Sequence, residues 1–369
     1  MSRLSFPALL VLTACAAFTA ASFGENTVQA QEAENVKILT ADGVKLHGVF
    51  YASGKKNSPT VIMLHPIGEG KGLKGPEWKS LAEALQKADY SVIMFDFRGH
   101  GESTSIDDSK LFWNQKANYQ NVKSKEKEVI DVKDYIKAGG TYLPVLVNDI
   151  AAVRSYLDRR NDDSKDCNTS SLIVIGADAG ATLGALWMNA EWHRHKYSPP
   201  MGFTLLSPKY VDRNPEGKDI VAAVFLTIQP TLEKRTVSVP GLLKVACKDN
   251  ATAALFFAGK EDTKARDFAK TLESKLKTKN SKKHDYIGAY ELNTNLTGVK
   301  LLQKGLKTDE LIVKYLDNVL EDRKQDRVDR EFRDSFFVWK SPANGQLIPA
   351  HNKKGEKNLN FDEYGRFLQ

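Results

Sequence analysis

Cysteine is scarce in this chain, three residues in 369, and histidine is little commoner at seven. So few cysteines exclude a disulfide-stapled scaffold, which very small secreted domains need and a chain of this length does not. No cysteine and histidine grouping has the spacing of a metal site. His193 and His195 stand two apart on an expected helix and so do not share a face. Long apolar runs are absent after the first 21 residues, so no later stretch approaches the roughly 18 apolar residues that span a bilayer. Charge of one sign is not concentrated either. The 53 basic and 46 acidic residues leave +7, and Lys123, Lys125 and Lys127 are interleaved with Glu126 and Glu128. That pattern describes a solvated surface and argues against a nucleic-acid groove. At 41% apolar and 27% charged residues the chain falls outside the disordered and fibrous classes, and it carries no internal repeat.

What is present starts with a targeting segment. Arg3 precedes an apolar run from Leu4 to Ala21, and small residues follow as far as Val28-Gln29-Ala30. That is the charged start, apolar middle and small-residue end of a secretory signal over residues 1–30, which implies a secreted or periplasmic protein. Leu12-Thr13-Ala14-Cys15 resembles the cleavage box of bacterial lipoproteins, so a lipid anchor at Cys15 is the alternative. Removing residues 1–30 takes away Arg3 and Glu25 and leaves the charge unchanged. Cys167 and Cys247 then remain, each ahead of an expected strand. Export permits them to pair, and two buried thiols are equally compatible with the spacing.

The periodicities alternate between strand and helix. Val36–Thr40 and Val44–Tyr51 flank Asp42-Gly43, a hairpin signal. Unbroken apolar runs at Thr60–Leu64, Tyr90–Phe95 and Ser171–Ile175 read as strands covered on both faces. Phe203–Leu206, Ala253–Phe257 and Tyr286–Leu292 supply further strands. Helices are expected over Trp78–Ala88, with Trp78, Leu81, Ala82 and Leu85 on one face, and over Leu143–Leu157, Ala181–His193, Lys264–Leu276 and Lys300–Leu320. A polar, acid-rich linker is expected after Leu157. The alternation implies an α/β fold, a mostly parallel central sheet with helices on both faces. Residues 31–330 form this domain, with insertions at 101–142 and 211–250. Residues 331–369 form a small β-rich extension punctuated by Phe336, Phe337, Trp339, Phe361, Tyr364 and Phe367.

Gly176-Ala177-Asp178-Ala179-Gly180 lies where a strand runs straight into a helix. The frame is G-x-nucleophile-x-G, a sharp turn that lifts one side chain above a parallel sheet. The other motifs follow in order: Leu64-His65-Pro66-Ile67-Gly68 after the first buried strand, Phe95-Asp96-Phe97-Arg98-Gly99-His100-Gly101-Glu102-Ser103 after the next, Gly259-Lys260-Glu261-Asp262, and Leu296-Thr297-Gly298. Together these resemble the α/β-hydrolase superfamily over residues 36–322. The first is similar to the H-G-x-G loop that supplies an oxyanion-hole amide, and the second to the D-x-R-G-x-G-x-S segment. The resemblance places nucleophile, acid and histidine at Asp178, Asp262 and Thr297. It implies an oxyanion hole from the amides of Ile67 and Ala179, with His65, Gly68, Gly176 and Gly180 around the pocket.

Function does not follow from fold. Acyl transfer needs a nucleophile, a base to take its proton and an acid to orient that base. Here only Asp262 matches the serine-type set. Haloalkane dehalogenases and epoxide hydrolases carry aspartate at the elbow, but they depend on histidine to release the covalent ester, and general base help is worth on the order of 10²–10⁴ in rate. They also usually place tryptophan where this chain has Ala179. His284 precedes the last strand, at its wrong end, and His351 lies in the aromatic tail. His65 and His100 are nearer, and a bracing role suits His65. Asp96 and Arg98 are expected to brace loops, and Asp262 also suits a turn or helix cap. A fixed carboxylate at the elbow competes for the oxyanion donors and repels anionic ligands. The expectation is therefore an exported protein resembling ester and amide hydrolases, weakly active or non-catalytic, that binds a small molecule or a protein. The alternative is an active hydrolase with Asp178 as nucleophile or general base. No cofactor, metal or nucleic acid is expected.

Overall fold

The strands with the longest unbroken apolar runs lie at the centre of one sheet, and shorter or alternating ones flank them. A computed structural model of the chain describes residues 32–68, 70–123, 127–197, 211–277, 286–330, 336–340 and 347–349. The main path of a nine-stranded sheet comprises β1 (Glu34–Leu39), β2 (Val44–Tyr51), β3 (Pro59–Leu64), β4 (Ser91–Phe95), β5 (Asn168–Ala177), β6 (Ile220–Leu226), β7 (Ala253–Gly259) and β8 (Ile287–Leu292), and the short strand Ser105–Ile106 joins it on the start of β2. Their order is β1-β2-β4-β3-β5-β6-β7-β8. From β4 to β8 every pairing is parallel, and β2 runs antiparallel to β1, to β4 and to Ser105–Ile106. Every residue of β3, β4, β5 and β6 is buried, as a parallel sheet covered on both faces requires.

Five long helices cover it: α1 (Pro76–Lys87), α2 (Val147–Asp163), α3 (Ala179–His193), α4 (Thr263–Leu276) and α5 (Thr308–Arg323). The two-residue period of the strands divides the core. Val61, Met63, Val92, Met94, Ile173 and Ile175 meet α1 and α5 on one face, through Trp78, Leu81, Leu85, Ile312 and Leu316. Ile62, Leu64, Ile93, Phe95, Leu172 and Val174 meet α2, α3 and α4 on the other. Register brings Leu64 opposite Gly176 and Ala177 opposite Leu226, so the carboxyl ends of β3, β5 and β6 form one edge.

That edge is held by a buried ion cluster. The Arg98 guanidinium, after β4, donates to Asp42 in the first hairpin at 2.6 and 3.0 Å and to Asp149 of α2 at 2.6 and 2.8 Å. Asn118 and Tyr142 extend the cluster into the segment 101–142. Asp96 accepts from the amides of Leu73 and Glu102 at 2.8 and 3.0 Å. Both residues brace loops, as expected from their motif.

Several expected boundaries shift. The apolar run Ile220–Leu226 is a fully buried strand of the central sheet, so the stretch 211–250 is not one insertion. The stretch 101–142 folds into short helices, among them Ser109–Asn114 and Lys116–Asn121. The acid-rich linker expected after Leu157 is instead the last turns of α2, which the Pro144-containing turn Leu143–Leu146 precedes. The helix expected from Lys300 begins at Thr308, because Lys307 takes a left-handed conformation with φ 51°. His195 lies on a strand, Arg194–Tyr197, not on the helix with His193. Phe336–Lys340 pairs with that strand and with Leu347–Pro349, giving the extension a hairpin. Residues 1–30, Phe203–Leu206, His284, His351, Phe361, Tyr364 and Phe367 lie outside the described residues. Cys167 and Cys247 are buried thiols, not joined to each other.

Candidate active site at the strand-to-helix elbow

The elbow forms because β5 and α3 meet with two glycines at their closest approaches. A Cβ on Gly176 would lie 2.7 Å from Ala181 Cα, and one on Gly180 would lie 2.2 Å from the His65 carbonyl oxygen. Neither contact tolerates a side chain, so both positions of the G-x-D-x-G frame are demanded by packing. Between them Asp178 adopts φ 50° and ψ −126°. Such a conformation costs a non-glycine residue on the order of 1–3 kcal/mol and persists only where the surroundings impose it. Here the Asp178 amide donates to Leu226 O on β6 at 3.0 Å, and its carbonyl accepts from the first turn of α3.

Four neighbours define the environment of the Asp178 carboxyl. Burial pushes its pKa up to about 6, against the opposing pull of the Lys71 ammonium and a hydrogen bond from the Gln229 side chain; the Asp262 charge adds to the rise. The fourth neighbour is Gly298, on which a Cβ would lie 2.1 Å from Asp178 Oδ2. Gly298 has φ 55°, and its amide donates to Thr227 Oγ1 at 2.9 Å. Thr297, the expected histidine equivalent, is exposed. The residue that faces the elbow from this loop is therefore Gly298, with the carboxyl group occupying the space that a side chain there would need.

No described histidine supplies the missing base. His65 Nε2 accepts from the Phe97 amide at 3.1 Å, so the proton resides on Nδ1, which donates to Pro66 O at 2.7 Å. Burial holds this imidazole neutral, with its pKa lowered to about 3. His100 is fixed in the same way: Nε2 accepts from the Gly68 amide at 3.1 Å, and Nδ1 donates to Arg98 O at 3.0 Å. Both rings brace the loop after β3, and neither retains a nitrogen for Asp178. Asp262 is the N-cap of α4, its carboxylate accepting from the Ala265 amide at 3.1 Å. It reaches Asp178 only through its field.

The donor side of the site remains open. No described acceptor engages the amides of Ile67 or Ala179. Ile67 sits on the loop clamped by His65 and His100, and Ala179 opens α3 directly after Asp178. Among the described residues, no group of three His, Cys, Asp or Glu is placed to hold a metal ion, and no helix is long and apolar enough to cross a membrane.

Lys71, Gln229, Thr227 and Gly298 were not singled out from sequence. Gln229 and Thr227 follow β6 directly, and the run Ile220-Val221-Ala222-Ala223-Val224-Phe225-Leu226 is the signal that locates them. Lys71 has no spacing signature. Gly298 was read as a neighbour of the histidine position, not as the contact itself.

Residues 59–188 match the family model described as alpha/beta hydrolase fold. The match spans β3 to the elbow helix and stops before Asp262 and Thr297. Thiohydrolase aneE of Aspergillus aculeatus is 43% identical over 71 residues, which are 19% of this chain and 21% of that protein. Among solved structures, esterase Pf2001 of Pyrococcus furiosus is similar at 16% identity and a TM-score of 0.47, over 79% of this chain and 92% of that one. Dienelactone hydrolase of Anabaena variabilis is similar at 12% identity and a TM-score of 0.46, over 78% and 97%. With the sheet order, the elbow and the family match in agreement, the chain is an α/β-hydrolase-fold protein.

Proposed function

We propose that the elbow pocket binds a small molecule and has lost the acyl-transfer chemistry of serine-type relatives. The observation that carries this reading is the contact between Asp178 and Gly298. It leaves the carboxyl group against backbone where a base would have to stand, while His65 and His100 are committed to the loop after β3. The retained donors at Ile67 and Ala179, the Lys71 cation and the Gln229 amide give a ligand polar partners around one half-buried acid. The segment 1–30 is read with this as an export signal, so the pocket would serve outside the cytoplasm.

One observation favours a second reading. A carboxyl group with its pKa near 6 is suited to take a proton near neutral pH, so Asp178 is the base or nucleophile if the protein turns over at all. Hydrolysis of short p-nitrophenyl esters, a haloalkane and an epoxide by the mature protein, beside Asp178→Ala, decides between them. The expected result is no turnover by either folded protein. Turnover that vanishes in Asp178→Ala would overturn the binding reading and assign Asp178 a catalytic role.

A further inference from the structure

We propose that the ligand of this pocket is a small organic anion, whose charged end lies in a cationic groove opening between residues 136–141 and 231–235. The inference rests on the pocket reading of Asp178. The groove encloses about 760 Å³ and is lined by Ile136, Lys137, Ala138, Glu233, Lys234 and Arg235, three cations against one carboxylate. Among the described residues, Lys137 and Lys234 enter no ion pair. Ile136 and Ala138 pack against the hydrophobic core beneath them, so the groove has an apolar wall. A concave site with an excess of one charge sign and low-dielectric walls concentrates counter-ions, and an apolar wall beside it suits an organic body.

Both walls lead back to the elbow. Ile136 follows Tyr135, whose hydroxyl donates to Arg98 O at 2.6 Å and whose ring stands 6.5 Å from that of His100. His100 in turn holds the Gly68 amide beside Ile67. On the other side, Gln229 bonds Asp178 through its side chain, and its carbonyl accepts from Thr182 Oγ1 at 2.7 Å. The short strand Thr231–Leu232 then turns back on Arg235–Thr236. Glu233 thus lies no more than about 14 Å along the chain from Gln229, at ~3.5 Å per residue. A single small molecule spans that distance. The Asp178 carboxylate repels an anion at the elbow itself, so the ligand's neutral end faces Asp178 and its anionic end faces Lys137 and Lys234.

The test uses the mature chain and two probes with one aromatic body, 1-anilinonaphthalene-8-sulfonate and the uncharged N-phenyl-1-naphthylamine, titrated by fluorescence. Lys137→Glu with Lys234→Glu should weaken the sulfonate about tenfold or more, and the uncharged probe by less than about twofold. Lys37→Glu with Lys87→Glu makes the same change of net charge on β1 and α1, and should leave both affinities within about twofold. An equal loss in that control, an equal loss for both probes, or no sulfonate binding by the unaltered protein overturns the proposal. Asp178→Ala separates it from the reading beneath. Binding of both probes unmoved by Asp178→Ala, with the lysine effect intact, would fail the elbow and leave the groove standing.

Discussion

Asp178→Asn should make this protein more stable at neutral pH, a direction opposite to most substitutions in a packed site. The carboxyl pKa is pushed from 3.8 to about 6, chiefly by burial, so ionising it costs the folded state about 3 kcal/mol relative to the unfolded chain, at ~1.36 kcal/mol per unit. The start of α3 returns part of this, because an anion at a helix N-terminus is favoured by about 0.3–1 kcal/mol. The net gain expected from asparagine is therefore about 2 kcal/mol at pH 7.5. The sign over pH follows from the raised value. The native state's preference for the protonated acid is fully present below pH 4 and is lost as pH rises through about 6, so the advantage of the variant is small at pH 4 and full at pH 7.5. Asparagine has nearly the same shape, and it tolerates positive φ better than most residues, so neither packing nor backbone offsets the gain. Urea unfolding followed by tryptophan fluorescence reads it directly, since Trp78 and Trp187 are buried. A variant no more stable than the parent at pH 7.5, or a difference that does not vary between pH 4 and pH 7.5, would refute the reasoning.

Two further outcomes test the same architecture. Gly298→Ala should destabilise by about 1–3 kcal/mol, because its Cβ would meet Asp178 Oδ2 at 2.1 Å and its φ is 55°; in an Asp178→Ala background the steric part should disappear, which a double-mutant cycle by thermal unfolding measures as coupling. Arg98→Met should cost about 3–5 kcal/mol in urea unfolding, because it leaves Asp42 and Asp149 buried without their cation; a loss below 1 kcal/mol would show that the cluster does not hold the loops.

The fold was legible because strand burial writes itself as unbroken apolar runs and helix faces as a wider period. Trp78, Leu81, Ala82 and Leu85 emerged as one buried face, and Asp42-Gly43 emerged as a hairpin. The elbow could be read because its glycines answer to contacts with neighbours close in sequence or in the adjacent motif. What escaped was set by tertiary position. β6 was overlooked although its seven residues are all apolar, and with it went Thr227 and Gln229, which reach the site only because β6 lies beside β5. Lys71 acts through space and leaves no local pattern. The exchange of roles between Thr297 and Gly298 depends on one left-handed residue, and a sequence motif cannot report which of two neighbours turns inward.

Conformation and charge at Asp178 bear on why the acid is there. Its φ of 50° costs about 1–3 kcal/mol in any non-glycine residue, and ionising the half-buried carboxyl costs about 3 kcal/mol more. Serine at the same point would carry the backbone term alone, and alanine or asparagine would also avoid the charge. A domain's total stability is only about 5–15 kcal/mol, so this single residue uses a substantial share of it. The site offers little return within the fold: Gln229 gives one hydrogen bond, Lys71 is exposed, and Asp262 raises the cost. An arrangement that is unfavourable alone, with the Ala179 amide next in the chain, becomes favourable when something binds. A ligand that donates a hydrogen bond to the carboxylate and accepts from Ile67 and Ala179 would lower the pKa of Asp178 from about 6 toward its ordinary value. Its affinity should then rise as pH increases through that range, and a flat affinity between pH 5 and pH 8 would leave the acid without a role in binding.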